Sequence, residues 1–248
     1  EKLAQADPVW FMGYSDNTNL THLLATLADT ASVYGPCAGA FGMEPWHESL
    51  QDALGILRGN MTAGRFVLEG YDKWEKESLK GEENPLAPYH LTEPRRICSF
   101  VGRERTKEPL RFEGRLLGGC MDCLVNLLGT RFDRTREFTE RYGKDGIIWF
   151  LEACDLNVFA VRRAMWQMEE AGWFGNVSGF LFGRPRNGEP VMNLDAYDAV
   201  LEVAGPKNVP VIMDVDLGHL PPMMPIVTGS MAEVAVKGND IRVEMRCI

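Results

Sequence analysis

Apolar and polar positions along this chain mark out strands and helices in turn. The run Val9-Trp10-Phe11-Met12 reads as a short buried strand, and Thr18 to Ala28 carries Leu20, Leu23, Leu24 and Leu27 at helical spacing. Ala31 to Pro36 predicts a second short strand ended by a turn. Pro45 to Leu57 predicts a helix with Trp46, Leu50, Leu54 and Leu57 on one face, stopping near Gly59. Leu110 to Leu117 alternates like a strand, meets Gly118-Gly119 and leads into a helix over Met121 to Leu128. Ile147 to Glu152, IIWFLE, is a continuous apolar run of the kind that suits a strand buried on both faces. Asp155 is placed to cap the next helix, whose Val158, Val161, Met165 and Met168 form one inward stripe and which closes at Gly172. Val177 to Phe182 and Val209 to Val215 predict two more buried strands, with a helix over Leu194 to Val203 between them. AEVAVKGNDIRVEM, near the end, predicts a β-hairpin turning at Gly238-Asn239-Asp240. Strands alternating with helices predict an α/β fold.

Between Gly70 and Arg96 this pattern breaks down. The stretch YDKWEKESLKGEENPLAPYHLTEPRR is charged and proline-rich, with Trp74 and Tyr89 among its few large apolar residues. Its length predicts both a linker between domains and a loop over a site. The expected organisation is residues 1–69 as an N-terminal nucleophile domain, 70–109 as linker and substrate loop, and 110–248 as a C-terminal domain. Glu1 to Pro8 runs almost at once into the first apolar stretch, as though the chain opened in mid-domain, and a preceding segment is expected.

Composition narrows the partners. The 248 residues are 45% hydrophobic and 25% charged, as in an ordinary globular protein with room for a real core. A formal net charge of -9 argues against nucleic acid or an anionic membrane, which both select basic surfaces. No apolar run reaches the roughly 18 residues of a membrane span, and no signal peptide opens the chain. The six cysteines are scattered, at 37, 98, 120, 123, 154 and 247, which fits reduced thiols in a cytoplasmic protein.

Candidate chemistry collects at the ends of the apolar runs. Ser15 follows VWFMGY in a sharp turn before a helix, Glu152 ends IIWFLE, and His219 follows VPVIMDVDLG. In open α/β sheets such C-terminal strand ends border the crevice where ligands bind. There a serine, a histidine and a carboxylate would serve as nucleophile, general base and the group that orients the base. The turn only partly matches a G-x-S-x-G elbow, because Gly13 is present but Asn17 replaces the second glycine. Ser15, Asp16 or Asn17 capping a helix, Glu152 solvated at a strand end, and His219 as a loop histidine are the bland alternatives. Of the other histidines, His22 falls within a predicted helix, and His47 and His90 lie in polar surroundings. Cys120-Met121-Asp122-Cys123 has the spacing of a redox or zinc motif, but no second ligand pair accompanies it, so no metal is expected and small-residue packing behind Gly118-Gly119 is favoured. No dinucleotide or P-loop motif is present, so no cofactor is expected, and Met213, Met223, Met224 and Met231 read as core or pocket lining.

Taken together, GYSD (13–16), YGP (34–36), GRLLGG (114–119), FLE (150–152), VSGFLFG (177–183) and VPVIMDVDLGHLPPMMPIVTG (209–229) resemble one family, over nearly the whole chain and in the family's order. It is the serine peptidases that include LD-carboxypeptidase and the microcin C self-immunity proteins. The resemblance implies two lobes: a Rossmann-like sheet lobe of the class I glutamine amidotransferase type carrying the nucleophile, and a C-terminal α/β lobe ending in the hairpin. It implies Ser15 as nucleophile, Glu152 and His219 as the rest of a triad, and the Asp16 N–H as half of an oxyanion hole. It further implies a small peptide or peptidyl-nucleotide substrate and a homodimer. AFGMEPW (40–46) and the segment around Trp74 are similar to the microcin-immunity branch, where an aromatic residue of this loop stacks on a nucleobase, so Trp74 and Gly119 are the expected substrate contacts. Cleavage of an aminoacyl- or peptidyl-nucleotide amide is the first expectation, cleavage of a cell-wall tetrapeptide before its terminal D-residue the second, and a binding protein without turnover the third. The chain departs from the family pattern in three ways. It lacks a front stretch whose glycine-rich turn gives the second oxyanion donor; it has Glu152-Ala153 for Glu-Asp; and it has Gly119-Cys120 where the family has Gly-Gly-Asn. For a carboxylate-binding residue the sequence offers Arg115 and Arg184.

Overall fold

The computed structural model describes residues 2, 5–7 and 9–247. Its N-terminal part carries β1 (Met12–Gly13), α1 (Thr18–Ala28), β2 (Ser32–Tyr34), α2 (Glu48–Leu57) and β3 (Phe66–Glu69). The polar middle holds β4 (Lys73–Trp74), β5 (Glu93–Pro94), β6 (Cys98–Val101) and β7 (Glu104–Thr106). There follow β8 (Leu110–Cys120), α3 (Met121–Leu127), α4 (Thr135–Arg141), β9 (Ile147–Glu152), α5 (Val158–Glu170), β10 (Val177–Gly183), α6 (Ala196–Ala204) and β11 (Pro210–Val215). The chain closes with β12 (Ile226–Thr228), β13 (Met231–Lys237) and β14 (Asp240–Arg246).

Nine strands form one sheet in the order β3-β14-β13-β8-β9-β10-β11-β6-β7. Its centre, β8 to β11, is parallel, because each step between these strands passes through a helix. Both flanks are antiparallel; short turns join β6 to β7 and β13 to β14, while β3–β14, β13–β8 and β11–β6 pair across distant chain segments. Alternate residues of the central strands point to opposite faces, and both faces are covered. Leu117, Trp149, Leu151, Phe180 and Met213 pack with Val161, Met165 and Met168 of α5 on one side. Leu116, Ile148, Phe150, Leu181 and Ile212 pack with Val33, Met224 and Val227 on the other. That two-sided burial is why these strands read as unbroken apolar runs.

A second sheet, β1-β2-β12, sits over that second face, with β1 parallel and β12 antiparallel to β2. Strands therefore pass between the segments expected to be separate domains. β3, from 1–69, forms one edge of the large sheet, and β12, from 110–248, completes the small one. Part of 70–109 is sheet as well: β6 pairs with β11 and β7 with β6, while β4 and β5 form a two-stranded ribbon. The alternation in Cys98-Ser99-Phe100-Val101 is too short to stand out beside its charged neighbours, and its pairing with β11 is what makes it a strand.

Three local expectations change, and two elements were not foreseen. The first strand is only Met12–Gly13, the residues that reach β2, and Val9 is 81% exposed. Helix α1 has the predicted bounds and buries Leu24 as expected, but its buried face also holds Thr18, Thr21, His22, Ala25 and Thr26, while Leu27 is exposed. The reason is the close passage of β8: a Cβ on Gly119 would lie 2.6 Å from Thr18 Cγ2, and Thr18 Oγ1 accepts the Cys120 N–H at 3.0 Å. The cap of α5 is Asn157, whose Oδ1 accepts from Ala160 N at 3.0 Å, and not Asp155. Helix α4, TREFTER, carries too few apolar residues to show a period in the sequence, and strand β3, FVLE, is too short to show one.

His22 shows what the polar face of α1 costs. Its ring stacks on Trp173, and its nitrogens face Gly118 O at 3.4 Å and Thr135 Oγ1 at 2.9 Å. Burial pushes its pKa down to about 4 from the ordinary 6.5. The unfolded chain therefore binds this proton at higher pH than the native one. Stability is complete above about pH 6.5 and is lost as pH falls toward 4, by up to about 3 kcal/mol. Denaturant titrations at pH 7.5 and 4.5 are expected to show this loss in the parent and a smaller one in His22→Gln.

Candidate active site

Three chain segments converge where β1, β9 and β11 end. After Met12-Gly13 the chain turns sharply through Ser15, whose φ of 58° lies in the left-handed region that a serine enters only when its surroundings hold it there. β9 ends in Glu152, which is 2% exposed, and the loop after β11 carries His219. His219 Nε2 lies 2.9 Å from Ser15 Oγ, and His219 Nδ1 lies 2.8 Å from Glu152 Oε2. With Nδ1–H donating to the carboxylate, Nε2 is the free acceptor and faces the serine hydroxyl.

Tyr34, at the end of β2, closes these contacts into a ring. Its hydroxyl donates to Glu152 Oε1 at 2.5 Å and accepts the Ser15 N–H at 3.3 Å. Burial, reinforced by the charge of Glu152, raises the phenol well above its ordinary pKa, so it stays a donor. Both carboxylate oxygens of the buried Glu152 are thereby satisfied, as a buried charge requires. The sequence reading missed Tyr34. The available signal was a tyrosine in a fully buried strand, whose hydroxyl must find a partner.

Two glycines let the histidine loop close on β9. A Cβ on Gly183 would lie 2.3 Å from Leu217 O, and a Cβ on Gly218 would lie 2.4 Å from Glu152 Oε2. Gly218 also has a φ of 90°. The Tyr14 ring packs 5.0 Å from the imidazole, on the side of a cleft of about 390 Å³. Cys37, Glu75, Lys80, Tyr89 and His219 are among the residues lining that cleft. The 70–96 stretch thus forms one wall, held there by Glu75 N donating to Pro221 O at 2.7 Å and by His90 N donating to Glu75 Oε2 at 2.5 Å. Lys80 Nζ reaches Gly39 O at 3.1 Å, and burial pushes the Tyr89 phenol up to about 12. Neither residue was singled out as a contact from sequence, because their approach to His219 depends on how the loop folds back.

Of the remaining sequence candidates, Asp16 and Cys120 stay beside the relay and most others lie further out. Asp16 follows Ser15 in the turn, where helix-start N–H groups lack internal partners. Gly119 packs on Thr18, as described. Trp74 does not line the cleft: the Arg184 guanidinium sits over its ring at 5.1 Å. Arg184 in turn is buried and bonds Asp216 Oδ1 at 2.6 Å and Asp214 O at 2.8 Å. Arg115 bonds Asp145 and Gly229 O and also lies away from the cleft. Cys120 and Cys123 are free thiols. Cys123 Sγ rests 3.6 Å from Ser15 O and 3.5 Å from Asp16 Oδ1, while hydrogen bonding with Cys123 and burial push the Cys120 thiol up.

Residues 113–234 match the family model described as the LD-carboxypeptidase C-terminal domain. The Microcin C7 self-immunity protein MccF of Escherichia coli is 24% identical over 243 residues, which are 96% of this chain and 66% of that protein. Residues 113–234 thus carry the LD-carboxypeptidase C-terminal domain, and over nearly its whole length the chain is similar to the LD-carboxypeptidase and MccF-like serine peptidases. It spans just under two thirds of that relative's length. Among solved structures, MccF in complex with glutamyl sulfamoyl guanosine superposes with a TM-score of 0.76 at 21% identity, covering 99% of this chain and 69% of that one. Muramoyltetrapeptide carboxypeptidase from Oxalobacter formigenes gives 0.68 at 18% identity, covering 99% and 70%. At these identities the superpositions establish the shared fold. No helix among the described residues is long and apolar enough to cross a membrane.

Proposed function

We propose that the protein is a serine hydrolase of the carboxypeptidase type in which Ser15, His219 and Glu152 act as nucleophile, general base and orienting acid. The observation that carries this reading is the relay of 2.9 Å and 2.8 Å contacts through His219, opening onto the cleft. Ser15 Oγ attacks the scissile carbonyl while His219 Nε2 takes its proton, and the buried Glu152 carboxylate stabilises the imidazolium. The Asp16 N–H donates to the oxyanion. His219 then passes its proton to the leaving group, and a water activated by the same nitrogen hydrolyses the acyl-enzyme. Tyr34 holds Glu152 and the Ser15 backbone in register throughout.

For substrate we propose an aminoacyl- or peptidyl-nucleotide cut at the amide to its nucleotide moiety. One sequence relative is a microcin self-immunity protein, and a solved relative carries a glutamyl sulfamoyl nucleoside. The partly buried indole of Trp74 is the proposed base-stacking surface, backed by the Arg184 guanidinium. Trp74→Ala is expected to weaken nucleotide-bearing substrates roughly tenfold, the scale of one lost base stack, and to spare muropeptides. Equal losses on both in steady-state assays would assign Trp74 to packing alone. A cell-wall tetrapeptide is the second reading, favoured by Lys80, a cation in the cleft suited to a terminal carboxylate. Hydrolysis of a panel holding both classes, with products separated by chromatography, decides between them. Binding without hydrolysis of any member would point to the binding-protein reading. We extend the proposal to a cytoplasmic homodimer, whose mass sedimentation reads directly.

A further inference from the structure

Cys120, at the end of β8, approaches the relay from behind. One ligand atom from each of Cys120, Glu152 and His219 lies within 4.8 Å of the others. We propose that these three side chains form a binding site for a thiophilic divalent cation, zinc above all, and that the bound ion switches off His219 as a base. The binding claim stands on the geometry alone; the switching claim rests on the hydrolase reading above.

The donor set is a thiol sulfur, an imidazole nitrogen and a carboxylate oxygen. Zinc takes all three, with bonds near 2.0 to 2.3 Å, so ligand atoms around a tetrahedral ion stand roughly 3.5 Å apart. Closing from 4.8 Å or less to that spacing asks only small side-chain movements. The ligands come from a strand end, a neighbouring strand end and a loop, and His219 lines the cleft, which gives the ion an entry path and a water for the fourth position. A thiolate and a carboxylate cancel the two positive charges, so the complex is neutral where Cys120 and Glu152 are buried. Magnesium and calcium, which favour all-oxygen shells, are poor fits. The Cys-x-x-Cys spacing is not what makes this site: Cys123 faces Ser15 O and Asp16 Oδ1.

The proton balance shows how the ion acts. His219 Nδ1 already faces Glu152 Oε2 at 2.8 Å, so the ion enters there in place of the bridging proton. The neutral imidazole then carries its proton on Nε2, pointing it at Ser15 Oγ, and has no lone pair left to accept one. The Cys120 thiol proton goes to solvent, so one proton is released for each ion bound. Apparent affinity therefore falls as the pH is lowered.

Cobalt(II) titration of the full chain, with the thiols kept reduced by a phosphine, tests the site by absorption. One equivalent is expected to produce a thiolate-to-cobalt charge-transfer band with intense tetrahedral ligand-field bands, displaced by zinc and untouched by excess magnesium. Cys120→Ser and His219→Ala are each expected to lose the charge-transfer band or to weaken binding at least tenfold. His219→Ala lies on the cleft wall and asks little of the core, so it serves if Cys120→Ser folds poorly. Ser15→Ala is expected to keep the band. Absence of a tetrahedral band, or a band that survives both ligand variants and so belongs to Cys37, Cys154 or Cys247, would overturn the site. In the hydrolysis assay zinc should inhibit the parent and not Cys120→Ser; a band without inhibition would overturn the switching claim alone. A band in a protein without hydrolytic activity would leave the site standing and count against the hydrolase reading.

Discussion

Ser15→Ala is expected to lower kcat on the cleaved member of the substrate panel by a factor on the order of 10⁴ or more. The argument is geometric: the hydroxyl 2.9 Å from His219 Nε2 is the proposed nucleophile, the group this nitrogen is placed to deprotonate. Removing one oxygen leaves the Tyr34, Glu152 and His219 contacts in place, so the thermal midpoint should move by no more than a few degrees. Substrate should still bind, because the cleft wall from 75 to 89 is untouched. His219→Ala should cost nearly as much, and Ser15→Ala combined with His219→Ala little more than either alone, since residues acting as one unit are not additive. Single-turnover assays on the three variants, with circular dichroism to establish folding, read all of these outcomes. Hydrolysis that persists in Ser15→Ala would end the mechanism.

Gly218→Ala is expected to cost about 1–3 kcal/mol of stability and at least a hundredfold in kcat, although it changes no group that takes part in proton transfer. Two costs coincide. The φ of 90° is strained for any residue with a Cβ. The new methyl would also sit 2.4 Å from Glu152 Oε2 and 2.7 Å from its Cβ. That carboxylate cannot swing aside, because one oxygen is held by Tyr34 and the other by His219 Nδ1. Either the His219 loop or the carboxylate must yield, and an error of about 1 Å in a catalytic group costs on the order of a hundredfold. Denaturant unfolding and kcat, measured together on Gly218→Ala, check both parts. A variant with unaltered kcat would show that the loop relaxes without disturbing the relay.

How much of this could be read without coordinates depends on the range of the contact involved. Ile147–Glu152 was legible to the residue, and the bounds of β10 and β11 to within one, because a strand covered on both faces declares itself in consecutive residues. The stripe Val158, Val161, Met165 and Met168 is buried as its spacing predicted. The hairpin register follows from Lys237 pairing with Asp240 across a two-residue turn. The leucines of α1 misled in part: Leu24 is buried as expected but Leu27 is exposed, since local spacing does not reveal that Gly119 would come close enough to require threonines on the inner face. Trp74 was picked for its aromatic character, and only the folded loop shows that the Arg184 guanidinium backs one face of its ring.

By itself, then, the amino-acid order determined the α/β alternation, the central strands and the candidacy of Ser15, Glu152 and His219, because each rests on neighbours a few residues away. Tertiary structure alone decided that Tyr34 joins Glu152 to the Ser15 backbone, that β12 completes the N-terminal sheet, and that Cys120 stands against the relay. Those contacts link positions from 19 to nearly two hundred residues apart in the chain. No local period or propensity encodes such a meeting; it exists only once the sheet has set the spacing of its strand ends.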